Sequence, residues 1–200
     1  MEHLINIDKR LFYAINGTRT EFLDWFFAVV SSHLFFGIVV VLFFVYLSLT
    51  RFRKRWWVCV VLIAVCFALS DRISVMCFKD VFERLRPSHA LEGVFLVKLK
   101  GTELIYDSKG GLYGFVSSHA ANAFCLSTVF TMLAKKRKTT GAISLLWASV
   151  TAYSRIYCGV HYPADVFCGA LLGVALGIVI YYTYAFIVRK TEYGIPENKT

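Results

Sequence analysis

Three short polar clusters interrupt an otherwise apolar chain of 200 residues, and each lies at the end of a hydrophobic segment. They are Lys79 with Arg86-Pro87, then Ser117-Ser118-His119, then Arg155 with His161 and Asp165. Cations bind phosphate oxygens, and a histidine beside a carboxylate is suited to act as a nucleophile or a base. If the three segment ends lie on one face of the protein, these side chains form a site that binds a phosphate group and attacks it.

The first cluster supplies two cations. Lys79 and Arg86 are seven residues apart, so on one continuous helix they share a face about 10 Å apart along the axis. Pro87 is predicted to end that helix, because it lacks a backbone donor and clashes with the preceding turn. Arg86 can donate two parallel hydrogen bonds to a phosphate, and Lys79 adds a compact charge. Taken alone, either residue is equally typical of a cation that reaches from a helix end to the membrane surface.

The second cluster, Ser117-Ser118-His119, precedes a long apolar run and is predicted to begin a helix. A serine at that position can cap the helix, and the free backbone N–H groups of the first turn attract an anion. His119 then projects from the first turn toward the same end of the helix. By itself the cluster is also compatible with a capping serine beside an incidental histidine.

The third cluster carries the clearest chemistry. Arg155 ends one apolar segment, His161 lies in the following turn, and Pro163 suits the first position of the next helix. Asp165 falls in the first turn of that helix, where it can hold one nitrogen of His161 and leave the other free for attack. The helix dipole also favours a carboxylate at this position, and both roles can hold together.

Composition predicts the setting of this site. Hydrophobic residues make up 58% of the chain, with 18 Phe and 11 Tyr, which is too apolar for a soluble domain of this length. We therefore predict an all-α polytopic membrane protein forming a single domain over 1–200. Five stretches are long enough for a hydrocarbon core that requires about 20 apolar residues. They are 31–50, 56–78, 117–134, 141–158 and 163–187.

Basic blocks predict the orientation of these spans. The segments 51–55, 135–138 and 189–190 follow the first, third and fifth spans and contain ten of the 22 basic residues. Short loops rich in Lys and Arg stay cytoplasmic, so the 79–116 connection and the 159–162 turn are predicted to lie outside. The active site is thus expected at the outer membrane–water boundary. Because the blocks account for much of the net charge of +9, nucleic acid is not an expected partner.

Three further segments receive predictions. In residues 3–15, apolar and polar positions alternate as in a helix that lies on the bilayer surface, so 1–20 is predicted to be an interfacial segment.

In the outer catalytic loop 79–116, the alternating run around Gly101-Thr102 predicts a small hairpin over the site. Lysines nearby could bind further phosphates or sugar, or could be solvated loop charges: Lys98, Lys100 and Lys109. Asp71 and Arg72 in the second span are predicted to pair within the bundle.

The order and spacing of the three clusters resemble the three-part signature of the type 2 phosphatidic acid phosphatase superfamily. These are membrane lipid-phosphate phosphatases that share a site plan with vanadium-dependent haloperoxidases. The resemblance covers residues 79–165. One departure lies in the second motif, which is usually Pro-Ser-Gly-His and here is Val116-Ser117-Ser118-His119. Ser118 adds a side chain where backbone would approach the phosphate.

The resemblance implies a role for each residue of the clusters. His161 would be the nucleophile that forms a phosphohistidine, Asp165 would orient it, and His119 would protonate the leaving oxygen. The equatorial phosphate oxygens would be bound by Lys79, Arg86, Arg155 and the backbone at Ser117 and Ser118. The two histidines have different roles and no carboxylate cluster of metal-binding type is present in the sequence, so no metal or other cofactor is expected.

The substrate is expected to be a lipid phosphate in the outer leaflet of a bacterial inner membrane, with the site facing the periplasm or exterior. A phosphate of lipid A is favoured, and undecaprenyl diphosphate and phosphatidylglycerophosphate are the alternatives. The two readings of another class are a transporter whose charges line a path and a catalytically silent scaffold. The sequence carries no inverted repeat of the kind many transporters have. It also carries no signal for an oligomeric state.

Overall fold

The structure is a computed structural model that describes residues 2–190 of the chain. The remaining residues, 1 and 191–200, and the side chains of the predicted basic pair Arg189-Lys190 lie outside the described part. Nine α-helices and one β-hairpin are found within 2–190. The helices are α1 (Glu2–Asn16), α2 (Glu21–Val30), α3 (His33–Leu47), α4 (Trp56–Ile73), α5 (Asp80–Phe82), α6 (Pro87–Ala90), α7 (Ser118–Leu133), α8 (Arg137–Tyr157) and α9 (Pro163–Lys190). Each of the five predicted spans falls on one of the longer helices.

The hairpin lies where the alternating run predicts it. Strands β1 (Lys98–Lys100) and β2 (Glu103–Ile105) pair antiparallel, with Leu99 opposite Leu104. Gly101 begins the connecting turn with a φ of 62°, which a residue without a Cβ adopts at little cost. The strands pack against α2, so the hairpin belongs to the site end of the molecule.

Helix α2 is not predicted by the sequence analysis, which leaves 21–30 unassigned. It is ten residues long and begins at a Thr20 cap, whose hydroxyl accepts from the backbone N–H of Leu23 at 3.2 Å. Ser32 caps α3 in the same way, accepting from the N–H of Phe35 at 3.1 Å. The two caps divide what reads as one apolar stretch into two helices. As a result, Ser31 and His33 are brought to the site.

Helix α7 lies at the centre of the fold and packs chiefly against α9 and α8. Its contact with α9 depends on three glycines four residues apart, Gly169, Gly173 and Gly177. A Cβ at Gly173 would be 2.4 Å from the carbonyl oxygen of Ala121, and one at Gly177 would be 2.7 Å from Cβ of Thr128. Small residues at this spacing let two helix backbones approach closely. They bring the second cluster, on α7, against the third cluster at the start of α9.

Within residues 2–190, two helical segments are long and apolar enough to cross a bilayer, His33–Phe82 and Pro163–Val188. The first contains a break at Arg53, where φ is +39°, between a π-helical turn (Ser48–Phe52) and α4. Leu47 before the break and Leu62 after it pack in the same cluster. The fold is thus mostly helical, with apolar helices gathered around α7.

The polar pair predicted at Asp71 and Arg72 is not buried. Both side chains are exposed. The buried face of α4 follows Cys59, Leu62, Cys66 and Ser70, and the next two residues lie off that stripe. The prediction of a pairing inside the bundle is therefore wrong.

The chain between Lys79 and Pro87 differs from the predicted continuous helix. A π-helical segment ends at Lys79, α5 ends at Phe82, and Glu83 has a left-handed backbone with φ +44°. Pro87 begins the short helix α6 instead of ending a helix, which suits its fixed φ and missing donor. Because of this break, Lys79 and Arg86 do not share a helix face, and Arg86 reaches the site by another route.

Candidate active site

His161 lies in the turn between α8 and α9 and is 1% exposed. Its Nε2 is 3.2 Å from Nη1 of Arg86, and its Nδ1 is 3.5 Å from Oδ2 of Asp165. A guanidinium group only donates, so Nε2 accepts and the proton of the neutral ring lies on Nδ1. Burial, reinforced by the charge of Arg86, lowers the pKa of His161 well below its ordinary value. The imidazole is therefore neutral, with the lone pair of Nε2 directed at a cation.

Asp165 lies in the first turn of α9, as the sequence predicts, and its side chain is fully buried. Oδ2 accepts from the backbone N–H of Tyr162 at 3.0 Å and faces His161. The 3.5 Å separation from Nδ1 is longer than a good hydrogen bond, as is common before a substrate binds. Oδ1 accepts from Nη1 of Arg84 at 2.7 Å. Sequence reasoning missed Arg84, although it lies only two residues before Arg86.

Lys79 and Ser118 meet across the first two clusters. The ammonium group of Lys79 donates to the hydroxyl of Ser118 at 2.8 Å. Ser118, like Val116, departs from the family pattern, and it adds a side chain where the resemblance implies that backbone approaches the phosphate. Its hydroxyl holds Lys79 at the N-terminus of α7. In this structure, the hydroxyl group that Ser118 adds to the second motif is thus hydrogen-bonded to Lys79.

Ser117 uses its backbone N–H, the expected phosphate donor, within the fold. Its N–H donates to the carbonyl oxygen of Asp165 at 3.0 Å, and the residue is fully buried. Its hydroxyl caps α7, accepting from the N–H of Ala120 at 3.5 Å, as predicted. In this structure the N–H is thus used to join α7 to α9, and its binding of a phosphate oxygen stays a prediction. Ser118 retains that role as a candidate, because first-turn N–H groups have no partner within the helix.

A cavity of about 290 Å³ opens beside these residues and is lined by Arg86, Arg155 and His119. Arg155 donates from Nη1 to the carbonyl and hydroxyl oxygens of Ser31, and its buried Nε has no hydrogen-bond partner among the described residues. His33 also lines the cavity, with its ring centroid 5.3 Å from that of His119. Sequence reasoning missed Ser31 and His33, because both depend on the unpredicted break between α2 and α3.

Gly114, at the end of the outer loop, is a third position that sequence reasoning missed. A Cβ there would be 3.0 Å from Cγ of Arg86 and 3.1 Å from Oδ2 of Asp165. Its backbone therefore packs directly on Arg86 and Asp165. The loop 79–116 covers the site from this side.

The cations of the first and third clusters converge. Lys79, Arg86 and Arg155 lie within electrostatic range of one another. Positive charges grouped in a partly buried site raise the free energy of the folded protein unless an anion binds among them. Together with a neutral histidine whose Nε2 is unprotonated, this arrangement suits the binding and attack of a phosphate group.

The comparison with known protein families covers all three clusters. Residues 70–189 match the family model described as the PAP2 superfamily, the type 2 phosphatidic acid phosphatases. The chain belongs to the PAP2 superfamily. The resemblance carried by the three motifs is therefore confirmed, and this PAP2 protein is a membrane lipid phosphatase.

Two lipid A 4′-phosphatases are similar to this PAP2 protein over most of its chain. A lipid A 4′-phosphatase of Porphyromonas gingivalis is 30% identical over 93% of this chain and 76% of its own. A lipid A 4′-phosphatase of Bacteroides thetaiotaomicron is 31% identical over 98% of this chain and 85% of its own. Among solved structures, Aquifex aeolicus LpxE is 29% identical with a TM-score of 0.63, over 86% of this chain and 93% of that chain.

Proposed function

We propose that this PAP2 enzyme removes the 4′-phosphate of lipid A through a phosphohistidine on His161. The names of two relatives that match over most of this chain support that substrate and position. The observation that carries the mechanism is the contact of Arg86 with Nε2 of His161, because it leaves that nitrogen unprotonated beside the cation-lined cavity. Undecaprenyl diphosphate and phosphatidylglycerophosphate are the alternative substrates.

In the first step, Nε2 of His161 attacks phosphorus and the bond from phosphorus to the lipid oxygen breaks. The leaving oxygen takes a proton from the imidazolium form of His119, which the charge of the bound phosphate would favour; His119 lines the cavity at the start of α7. A positioned acid of this kind contributes about 10²- to 10⁴-fold. As Nε2 gains its bond, the ring becomes positive, and the Nδ1–H group that faces Asp165 is stabilised by the carboxylate.

In the second step, a water molecule attacks the phosphohistidine and gives its proton to His119. The bond from phosphorus to Nε2 breaks, which releases inorganic phosphate and restores neutral His161. The equatorial oxygens are bound by Lys79, Arg86 and Arg155 in both steps, where preorganised charge is most effective. Every proton and bond in both steps is accounted for by the chain, the lipid and water.

Arg86 has a second function in this scheme. In the structure its guanidinium lies against Nε2 of His161, at the wall of the cavity. Its Nε donates to the carbonyl oxygen of Tyr113 at 3.1 Å, which holds the base of the side chain in place. A bound phosphate offers the guanidinium a stronger, charged acceptor. Phosphate binding would then draw Arg86 from Nε2 and open the nucleophile as the substrate arrives.

We also propose that the enzyme is one domain with five spans in the bacterial inner membrane, with the site facing the periplasm and α1 lying at the outer surface. The distribution of charge supports this orientation. Arg51 and the block Lys135–Lys138 line one cavity of about 460 Å³. This cavity lies at the ends of α7 and α8 opposite to His119 and Arg155. Residues of two basic blocks thus lie at the same end of the molecule, and that end is opposite to the proposed active site, as expected if the blocks are cytoplasmic.

Orientation is tested by a membrane-impermeant thiol reagent applied to intact cells. In a cysteine-free background, Ser108→Cys beside the cavity is expected to be labelled, and Thr139→Cys near the start of α8 is not. Permeabilised cells should label both, which controls for access to the thiol. Labelling of Thr139→Cys alone in intact cells would invert the topology and contradict an outer-leaflet substrate.

The substrate is tested by mass spectrometry of lipid A from cells with and without the gene. We expect lipid A of the deletion strain to retain one additional phosphate at the 4′ position, seen as the mass of one HPO₃ and located by fragmentation. A plasmid with the wild-type gene should reverse the change, and one carrying His161→Gln should not. Unchanged lipid A together with accumulated undecaprenyl diphosphate would move the function to that alternative, with the histidine chemistry retained.

A further inference from the structure

Arg84 joins two carboxylates that lie far apart in the chain. Its Nη1 donates to Oδ1 of Asp165 at 2.7 Å, and its Nη2 donates to Oδ2 of Asp8 at 2.6 Å. The guanidinium also lies over the ring of Tyr162, 4.1 Å from the centroid. Its side chain is 27% exposed, while those of Asp8 and Asp165 are 10% and 0% exposed. Charge-assisted bonds of this length, with little contact with water, restrict the groups they join.

The bond to Asp165 decides which oxygen faces the nucleophile. With Oδ1 bound by Arg84 and Oδ2 bound by the N–H of Tyr162, the carboxylate cannot rotate without breaking both contacts. In this orientation Oδ2 lies 3.5 Å from Nδ1 of His161. Arg84 therefore acts on His161 through Asp165. Both Nη atoms of Arg84 bind carboxylates, so its guanidinium is directed at Asp165 and Asp8.

Asp8 holds Arg84 from the other side. Its Oδ1 accepts from the backbone N–H of Ala164 at 2.9 Å, so the same carboxylate contacts the first turn of α9. The fixed fork of a guanidinium allows Nη1 and Nη2 to serve two carboxylates at once, which a single ammonium group cannot reproduce. Asp8, Arg84 and Asp165 form one connected network that ends at His161.

The helix that carries Asp8 is built to hold this position. One face of α1 buries Asp8, Phe12 and Asn16, which are four residues apart. Phe12 packs on Tyr162 with ring centroids 5.7 Å apart, and Asn16 donates to the carbonyl oxygen of Tyr157 at 2.8 Å. The rest of the helix surface exposes apolar side chains, among them Leu4, Ile7 and Leu11. Helix α1 thus attaches to both sides of the turn that contains His161.

We propose that Arg84 is a positioning residue of the phosphatase reaction, and that Asp8 on α1 holds Arg84 in the geometry the reaction requires. The proposal rests on His161 being the nucleophile of the proposed function. By this proposal, helix α1 helps to align the attacking nitrogen of His161. Asp8 on that helix precedes His161 by 153 residues in the chain.

The test measures kcat and KM of purified enzyme in detergent for four variants: Arg84→Gln, Arg84→Lys, Asp8→Asn and Glu2→Gln. Arg84→Gln is expected to lower kcat roughly 10- to 100-fold, as is typical for residues that orient a catalytic group, with KM nearly unchanged. Arg84→Lys keeps the charge but loses the fixed spacing of two donor nitrogens, so it should recover kcat only in part. Asp8→Asn keeps an acceptor for Ala164 but loses the charge, so it should lower kcat in the same direction.

Two further measurements separate positioning from general stability. The exposed Glu2 lies on the same helix, so Glu2→Gln removes a carboxylate from α1 and should leave kcat unchanged. The double variant Asp8→Asn with Arg84→Gln should be no slower than Arg84→Gln alone, because both changes act on one connected network. Thermal unfolding of each variant reports any loss of fold.

A folded Arg84→Gln variant with wild-type kcat would overturn the proposal. An increase in KM with kcat unchanged would also overturn it, because Arg84 would then act on substrate binding. If Arg84→Gln does not fold, Asp8→Asn is the deciding variant, and a wild-type kcat for Asp8→Asn would overturn the proposal. Failure of the proposed function would be seen differently. His161→Gln would then retain phosphatase activity, regardless of the kcat values of the Arg84 variants.

Discussion

Replacement of His161 by Gln is expected to abolish phosphate release from lipid A, with a loss on the order of 10⁴-fold or more. Glutamine fills a similar volume and can still hydrogen-bond, but it offers no nitrogen lone pair to attack phosphorus. The buried, neutral imidazole with Nε2 facing Arg86 is the group that supplies this lone pair. The measurement is inorganic phosphate released from purified substrate in detergent micelles.

The covalent step has a direct readout. Wild-type enzyme mixed with radiolabelled substrate and quenched in alkali should retain protein-bound phosphate with the lability of a phosphohistidine, and His161→Gln should retain none. His89→Gln is the matched control, because His89 is exposed and lies outside the cavity lining. Excess chelator should leave the wild type active. Loss of activity in chelator that a divalent ion restores, or a labelled His161→Gln variant, would contradict the mechanism.

Gly173→Ala is expected to lower both stability and activity, even though Ala is the better helix former by about 1 kcal/mol. A Cβ at this position would be 2.4 Å from the carbonyl oxygen of Ala121 and 2.9 Å from the backbone nitrogen of Cys125. Both are main-chain atoms of α7, so relief requires α9 to move away from α7. Overpacking of this kind costs about 1 to 3 kcal/mol. A shift near 1 Å between catalytic groups can cost about 100-fold in rate.

The measurements are the midpoint of thermal unfolding in detergent and kcat. Gly37→Ala provides the control, because it makes the same change in an apolar helix where a new Cβ has no heavy atom within 4 Å. That variant should be as stable as the wild type or slightly more stable, with unchanged kcat. If the two variants behave alike, the close contact of α7 and α9 does not position the site.

The chain order of the site residues is largely readable from the sequence. Ser117 caps α7, Pro163 begins α9, and Asp165 lies in its first turn, because caps and first-turn preferences depend on neighbours a few residues away. Apolar length predicted where the longer helices lie, and alternation predicted the hairpin around Gly101. Each of these signals depends only on residues nearby in the chain, so these features can be predicted from a single sequence.

Sequence reasoning was wrong or incomplete where a local rule competed with a contact made elsewhere. The spacing of Lys79 and Arg86 favoured one helix, but Glu83 adopts a left-handed backbone that no sequence signal marks. The N–H of Ser117 is free in an isolated helix, yet in the fold it donates to Asp165. The stripe Gly169, Gly173 and Gly177 did carry a signal in its spacing of four, and it could have been used to predict the contact of α7 with α9.

The sequence by itself determined which residues could do the chemistry and the order in which they come. Only the tertiary structure decided how they are held. Arg84 meets Asp165 across 81 positions and Asp8 across 76, and Arg86 meets His161 across 75. Such pairs form only when loops and helices from distant parts of the chain pack together, and their geometry depends on the packing of the whole bundle. The direction of the Nε2 lone pair of His161, on which the proposed attack depends, is therefore a property of the fold.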